Sequence, residues 1–147
     1  MKKFGRWLFA LGIVAVPLIA GALVLEVGNP ASNPEALKNH AVLVARITAC
    51  HSPGETTVAA TAEGMVNGTR KSIPLKVIAL STAGTFALAR EWPEQGTWAI
   101  KLVATNPEYK DYAASVLVPI RSDAVQLSAA KHYFHAASEA EVSLALN

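Results

Sequence analysis

Cysteine is almost absent from this chain of 147 residues, which has only Cys50. A single cysteine excludes an internal disulfide. It also lies too far along the chain to carry the lipid of an anchored precursor, which needs a cysteine directly after its apolar segment. The patterns G-x-S-x-G, H-E-x-x-H and C-x-x-C are missing as well. Because no catalytic constellation can be recognised, we expect a protein that is not an enzyme.

Charged residues are also scarce, at 16% of the chain, and the basic ones form no long run. Three of the 13 basic residues, Lys2, Lys3 and Arg6, lie at the N-terminus, where there is no acidic residue. The remainder has 10 basic and 11 acidic residues, a formal charge of −1, so the positive sign of the net charge of +2 comes from the three N-terminal cations. Since nucleic-acid binding needs clustered cations, we expect no nucleic-acid partner.

The N-terminus has the pattern of an export signal. Its three cations precede an uninterrupted run of 19 apolar and small residues, Trp7–Leu25. Residues 20–22, Ala-Gly-Ala, match the small-x-small motif of a signal peptidase, which predicts cleavage after Ala22. The alternative is an uncleaved anchor in the inner membrane, because 19 residues nearly span a bilayer as a helix. Both alternatives export the rest of the chain to the periplasm or the extracellular space.

The chain divides into three segments that differ in the pattern of their apolar residues and turn signals. Residues 1–25 are the predicted signal peptide or membrane anchor, an apolar helix. Residues 26–40 are a predicted linker and lead-in with two Asn-Pro turn signals. The second of them, Asn33-Pro34, predicts one helical turn over Pro34–Lys38 with Asn33 as its cap. Residues 41–147 are a predicted single domain in which the apolar period is two, which is typical of strands.

Local signals inside residues 41–147 define the strands. Asn67-Gly68 predicts a tight hairpin, and Arg70–Leu80 is its predicted returning strand, at the edge of a sheet because of Pro74. Trp98 and every second residue to Ala104 form a predicted inward face. Residues 138–141 have the spacing of a capping box, which predicts a short C-terminal helix. Six or seven short strands with turns between them indicate an all-β fold, an antiparallel β-sandwich.

One stretch carries a family resemblance. Gly84–Leu88 and Trp92–Leu102 follow a pattern in which a G-x-[FY] strand leads through a turn to G-x-W-x-[IL]-x-[LV]. This pattern resembles exported bacterial immunoglobulin-like domains, among them fibronectin-type, carboxypeptidase-regulatory-like and YtkA-like domains. The resemblance covers less than a fifth of the exported part and implies an immunoglobulin-like sandwich. It implies no particular chemistry, because this fold hosts many functions.

The candidate metal ligands are Cys50 and the histidines. Cys50 and His51 are adjacent at a predicted strand end, while His132 and His135 flank two aromatic residues. Residues three apart point to opposite faces of a strand, and the aromatic residues favour a strand here. A Cu or Zn site that uses Cys50 and His51 with His132, His135 or His40 is nevertheless chemically reasonable. Cys50 could also be a redox thiol or form an intermolecular disulfide. Otherwise Cys50 is a small, half-buried residue at a strand end and the histidines are ordinary surface or edge residues, and we expect no cofactor.

The aromatic candidates for a contact patch are Trp92, Tyr109, Tyr112, Tyr133 and Phe134, of which Trp92 and Tyr109 lie at predicted turns near one end of the sandwich. They either form a contact patch for a partner or plug the end of the core. We therefore expect an exported, non-catalytic binding or interaction module whose partner is a protein or another component of the cell envelope. The N-terminal segment would contact the membrane if it is not cleaved. A metal-handling domain is the alternative function, and a small hydrolase is the second alternative.

Overall fold

A computed structural model describes residues 22–147 as two antiparallel β-sheets with a short C-terminal helix. Residues 1–21, and with them most of the predicted signal or anchor segment, lie outside the described part. No helix among residues 22–147 is both long and apolar enough to cross a bilayer. The elements are β1 (Val24–Gly28), α1 (Pro34–Lys38), β2 (Ala41–Thr48), β3 (Thr57–Val66), β4 (Thr69–Leu75), β5 (Val77–Ala79), β6 (Thr85–Ala89), β7 (Thr97–Thr105), β8 (Ala113–Arg121), β9 (Ala124–Val125), β10 (Lys131–Tyr133) and α2 (Glu139–Leu146).

The first sheet has the strand order β1-β2-β6-β5, and the second has the order β10-β8-β7-β3-β4 with β9 paired to β8. The prediction of an all-β antiparallel sandwich is confirmed at this level. The described residues form ten strands rather than six or seven. Most of the surplus comes from β1, β5 and β9, which have five, three and two residues. Alternation over so few residues is too short to be recognised in a sequence.

The single strand predicted over Arg70–Leu80 is wrong, because the chain changes sheets in the middle of it. β4 pairs with β3 in the second sheet, whereas β5 pairs with β6 in the first. Lys76 lies between them, and its backbone N–H donates to the Glu91 carboxylate at 2.7 Å. The side chain of Glu91 thus satisfies a donor that neither sheet uses, so the crossing leaves no unpaired amide there.

The core lies between the two sheets and follows the predicted period of two. Trp98, Ile100, Leu102 and Ala104 of β7 are buried, as the sequence predicted. Trp98 lies directly opposite Gly64 of β3. A Cβ atom at Gly64 would come within 2.3 Å of the Trp98 ring, so only glycine leaves room for the indole.

Strand β1 extends the domain into the segments predicted as signal or anchor and as linker. Leu23 and Leu25 are fully buried in the core, and Val24 opens the antiparallel pairing of β1 with β2. Farther along, Asn33 caps α1 through its side-chain oxygen, which accepts from the Ala36 N–H at 3.0 Å. This short helix is the one that Asn33-Pro34 predicted.

Helix α2 covers the outer face of the second sheet. Ser138 and Glu141 form the predicted capping box at its start. Its buried side chains, Val142 and Ala145, pack against Ala99 and Leu117 of the sheet. The C-terminal segment is therefore an integral part of the domain.

An ion-pair network fastens the first turn of α2 to the hairpin formed by β3 and β4. The guanidinium of Arg70 contacts Glu63 at 2.9 Å and Glu139 at 3.3 Å. Burial raises the pKa of the Glu63 carboxyl, but hydrogen bonds from Thr61, Ser72 and Arg70 lower it more, so the pKa lies below its ordinary value. Glu63 is therefore charged in the folded protein near neutral pH.

Candidate functional site

The loops between β2 and β3 and between β7 and β8 meet at one end of the sandwich, and Asn106 joins them. Its buried amide donates to the Thr56 hydroxyl at 2.9 Å and to the Ser52 carbonyl at 3.1 Å. Its side-chain oxygen accepts from the Glu108 N–H at 2.9 Å. Every polar atom of this side chain is thus used to hold the two loops together.

The same asparagine explains the position of Cys50. The Asn106 amide lies 3.5 Å from the Cys50 sulfur, and the thiol is half-buried against the core. The sequence alone did not single out Asn106 for this role. A buried asparagine has no local signature that separates it from an ordinary turn residue.

An aromatic row stands beside this loop pair. The ring centroids of Tyr109 and Tyr112 are 6.4 Å apart, and those of Tyr112 and Phe134 are also 6.4 Å apart. The two tyrosines are half-buried against the core, whereas Phe134 is 67% exposed. Burial raises the pKa of both tyrosine hydroxyls. We call Tyr109, Tyr112 and Phe134 the aromatic row.

Trp92 was also predicted to belong to the contact patch, but its side chain does not lie on this surface. It is only 4% exposed and packs in the core, with the guanidinium of Arg90 over its ring at 5.9 Å. For Trp92 the alternative of a core plug therefore fits the structure. Phe134, which the sequence also offered for this patch, is the member whose side chain is largely exposed.

A groove of about 340 Å³ adjoins the aromatic row, with Phe134 in its wall. It runs between the edge strands β1 and β10. Two side chains hold the backbone of β1 beside it: the Tyr112 hydroxyl donates to the Leu23 carbonyl at 3.4 Å, and His132 Nδ1 lies 3.1 Å from the Leu25 carbonyl oxygen. A carbonyl only accepts, so Nδ1 of His132 carries the hydrogen. These contacts occupy an edge that would otherwise attract another strand.

The predicted metal ligands have separate partners. His132 is bound to β1, and His135 Nε2 lies 3.0 Å from the Glu141 carboxylate on α2. Cys50 contacts Asn106, and His51 is exposed. Within residues 22–147 no group of three or more His, Cys, Asp or Glu side chains is placed to hold a metal ion. Of the predicted residues, the structure brings together Tyr109, Tyr112 and Phe134.

The chain was compared with known protein families, curated proteins and solved structures. No protein-family model, curated protein or solved structure matches the chain.

Proposed function

We propose that this chain is an exported, non-catalytic binding module of the cell envelope that contacts its partner through the aromatic row. The observation that carries the proposal is the exposure of Phe134, at 67%, beside the half-buried Tyr112, which in turn lies against Tyr109. Large exposed apolar groups beside polar ones are typical of contact surfaces. Tyrosine suits such surfaces because it is apolar along the ring and polar at the hydroxyl.

The strand order supports an immunoglobulin-like sandwich as the scaffold of this module. The order β1-β2-β6-β5 corresponds to strands A-B-E-D of that fold, and β8-β7-β3-β4 corresponds to G-F-C-C′. The segment 49–56 is then the B–C loop, and the segment 106–112 is the F–G loop. These two loops lie at the end that carries the binding loops in immunoglobulin variable domains. The likeness is one of architecture, so the partner must be identified by experiment.

The export signal supports the location of the module. Lys2, Lys3 and Arg6 before the run Trp7–Leu25 are typical of a chain that crosses the inner membrane. The partner is accordingly a protein or another component of the envelope. A bound strand at β1 is disfavoured, because His132 already contacts the Leu25 carbonyl of that strand and Tyr112 contacts the Leu23 carbonyl just before it.

The test is capture of partners from envelope extracts with three matched proteins: the wild type, Phe134→Ser and Leu144→Ser. Leu144 is the control because it is also 67% exposed but lies on α2, outside the aromatic row. Removing a central aromatic side chain from an interface costs about 2 kcal/mol or more, roughly 30-fold in affinity. We expect Phe134→Ser to lose a partner that Leu144→Ser retains.

Both replacements are at the surface, where a change of stability of about 0.5 kcal/mol or less is usual. Equal melting temperatures of the three proteins would show that a loss of binding is not a loss of fold. The proposal fails if repeated captures return no partner, or if both variants retain the same partner as the wild type.

A further inference from the structure

The apolar N-terminal run and the folded domain share residues, and this overlap places a boundary between them. Leu23 and Leu25 are buried in the core, and Val24 pairs with Thr48 in the first sheet. The last three residues of the run Trp7–Leu25 therefore belong to the sandwich. An extended strand paired to β2 cannot at the same time be the end of a membrane helix.

These residues are costly to withdraw from the fold. Burying each leucine side chain contributes about 1.5–3 kcal/mol. Withdrawal would also break the contacts of Tyr112 with the Leu23 carbonyl and of His132 with the Leu25 carbonyl. Moving the two leucine side chains from the core into the bilayer gains no hydrophobic free energy, because both environments are apolar. The backbone of β1 would lose its pairing with β2 as well.

The part of the apolar run that precedes the domain is shorter than a typical membrane-spanning helix. Trp7–Ala22 has 16 residues, which is about 24 Å as a helix at 1.5 Å per residue. The hydrocarbon core of a bilayer is about 30 Å thick, and spanning helices have about 17–25 residues. An apolar segment of this length that ends in a small-x-small motif is typical of a removable signal peptide.

We propose that the peptide bond between Ala22 and Leu23 is hydrolysed during export by a membrane-bound signal peptidase, so that the mature domain begins at Leu23. Water adds across the amide: Ala22 leaves with a carboxylate, and the nitrogen of Leu23 becomes an ammonium group. The proposal rests on the export step of the proposed function. The fold sets the boundary between the removed segment and the mature domain, because cleavage after Leu23 or later would remove residues of the core.

Cleavage at this bond also has a consequence for the aromatic row. Tyr112 contacts Leu23 directly, so the row lies where the chain enters the domain. The sequence leaves no linker between the apolar run that ends at Ala22 and Leu23, so a precursor that stays in the membrane would keep this end of the sandwich next to it. Hydrolysis releases it, and the aromatic row becomes accessible to a partner in the envelope.

The experiment is to express the full chain in a bacterium with an inner and an outer membrane, fractionate the cells, and measure the intact mass. The expected product starts at Leu23 and is released by osmotic shock. Ala22→Tyr should block processing, because the motif needs a small residue there. Gly21→Tyr is the matched control, since the middle position of the motif is unrestricted, and it should be processed like the wild type.

An exported chain that retains residues 1–22 in the membrane fraction would overturn the proposal and leave the proposed function intact. Equal processing of the two variants, or a block in both, would also overturn it. A chain found only in the cytoplasm would instead refute export, and with it the proposed function. Since none of these measurements involves a partner, failure to capture one does not affect them.

Discussion

Two buried threonines, Thr85 and Thr56, allow a sharp test of how polar groups are satisfied in this fold. Each is 6% exposed. The hydroxyl of Thr56 accepts from the Asn106 amide at 2.9 Å, whereas the hydroxyl of Thr85 has no hydrogen-bond partner among residues 22–147. Valine has the same shape as threonine without the hydroxyl. The substitutions Thr85→Val and Thr56→Val therefore remove the same atom from two different environments.

The expected effects have opposite signs. An unsatisfied buried polar group costs about 1–3 kcal/mol, and a typical intramolecular hydrogen bond contributes about 1 kcal/mol. Thr85→Val should raise the free energy of unfolding by about 1 kcal/mol, and Thr56→Val should lower it by about the same amount. The second loss is limited because Asn106 still donates to the Ser52 carbonyl. For a domain of this size 1 kcal/mol corresponds to about 3–6 °C in melting temperature.

Urea titration followed by tryptophan fluorescence measures both variants, because Trp92 and Trp98 are buried and change environment on unfolding. The slope of the transition should remain that of the wild type, so that the midpoint alone reports stability. If Thr85→Val destabilises the domain as much as Thr56→Val does, the Thr85 hydroxyl has a partner in solution and the reasoning is refuted.

Two further predictions concern the second sheet. Gly64→Ala should lower the free energy of unfolding by about 1–3 kcal/mol or more, because the new Cβ would lie 2.3 Å from the Trp98 ring; an unchanged urea midpoint would contradict this. Glu63 has a folded-state pKa below the ordinary value of 4.5, so its stabilisation is complete above pH 4.5 and is lost as the pH falls towards the folded-state pKa. Glu63→Gln should destabilise the domain at pH 7 by about 1–3 kcal/mol, since Arg70 then loses a charged partner, and should weaken the loss of stability between pH 5 and pH 3. A wild-type acid dependence equal to that of the variant would rule out this role for Glu63.

Several elements could be predicted from the sequence because short-range physics decides them. Asn67 and Gly68 have φ values of 49° and 74°, the positive pair that a tight hairpin needs. The caps of α1 and α2 also came from spacing alone, because the capping side chain and the amide it satisfies are only three residues apart. Pro74 lies on β4, an edge strand, as expected for a residue without an N–H.

The candidate site could be predicted only in part. Tyr109, Tyr112 and Phe134 were among the aromatic residues that the sequence offered for a contact patch, but the sequence by itself does not reveal which of these side chains faces solvent. Trp92 enters the core and Phe134 remains outside because of how the two sheets close on each other. Asn106, which joins the two loops, was missed for the same reason: its contact with Thr56 spans 50 residues of sequence.

The alternation of apolar residues determined by itself that this chain forms an all-β sandwich, because a period of two can bury only one face of a strand. Only the tertiary structure decided where that sandwich begins. Hydrophobicity does not distinguish a residue that enters a bilayer from one that enters a protein core, so Leu23–Leu25 looked like the end of the export segment. Their pairing with β2 and their burial between the sheets assign them to the domain. The sandwich therefore includes the last three residues of the apolar run Trp7–Leu25.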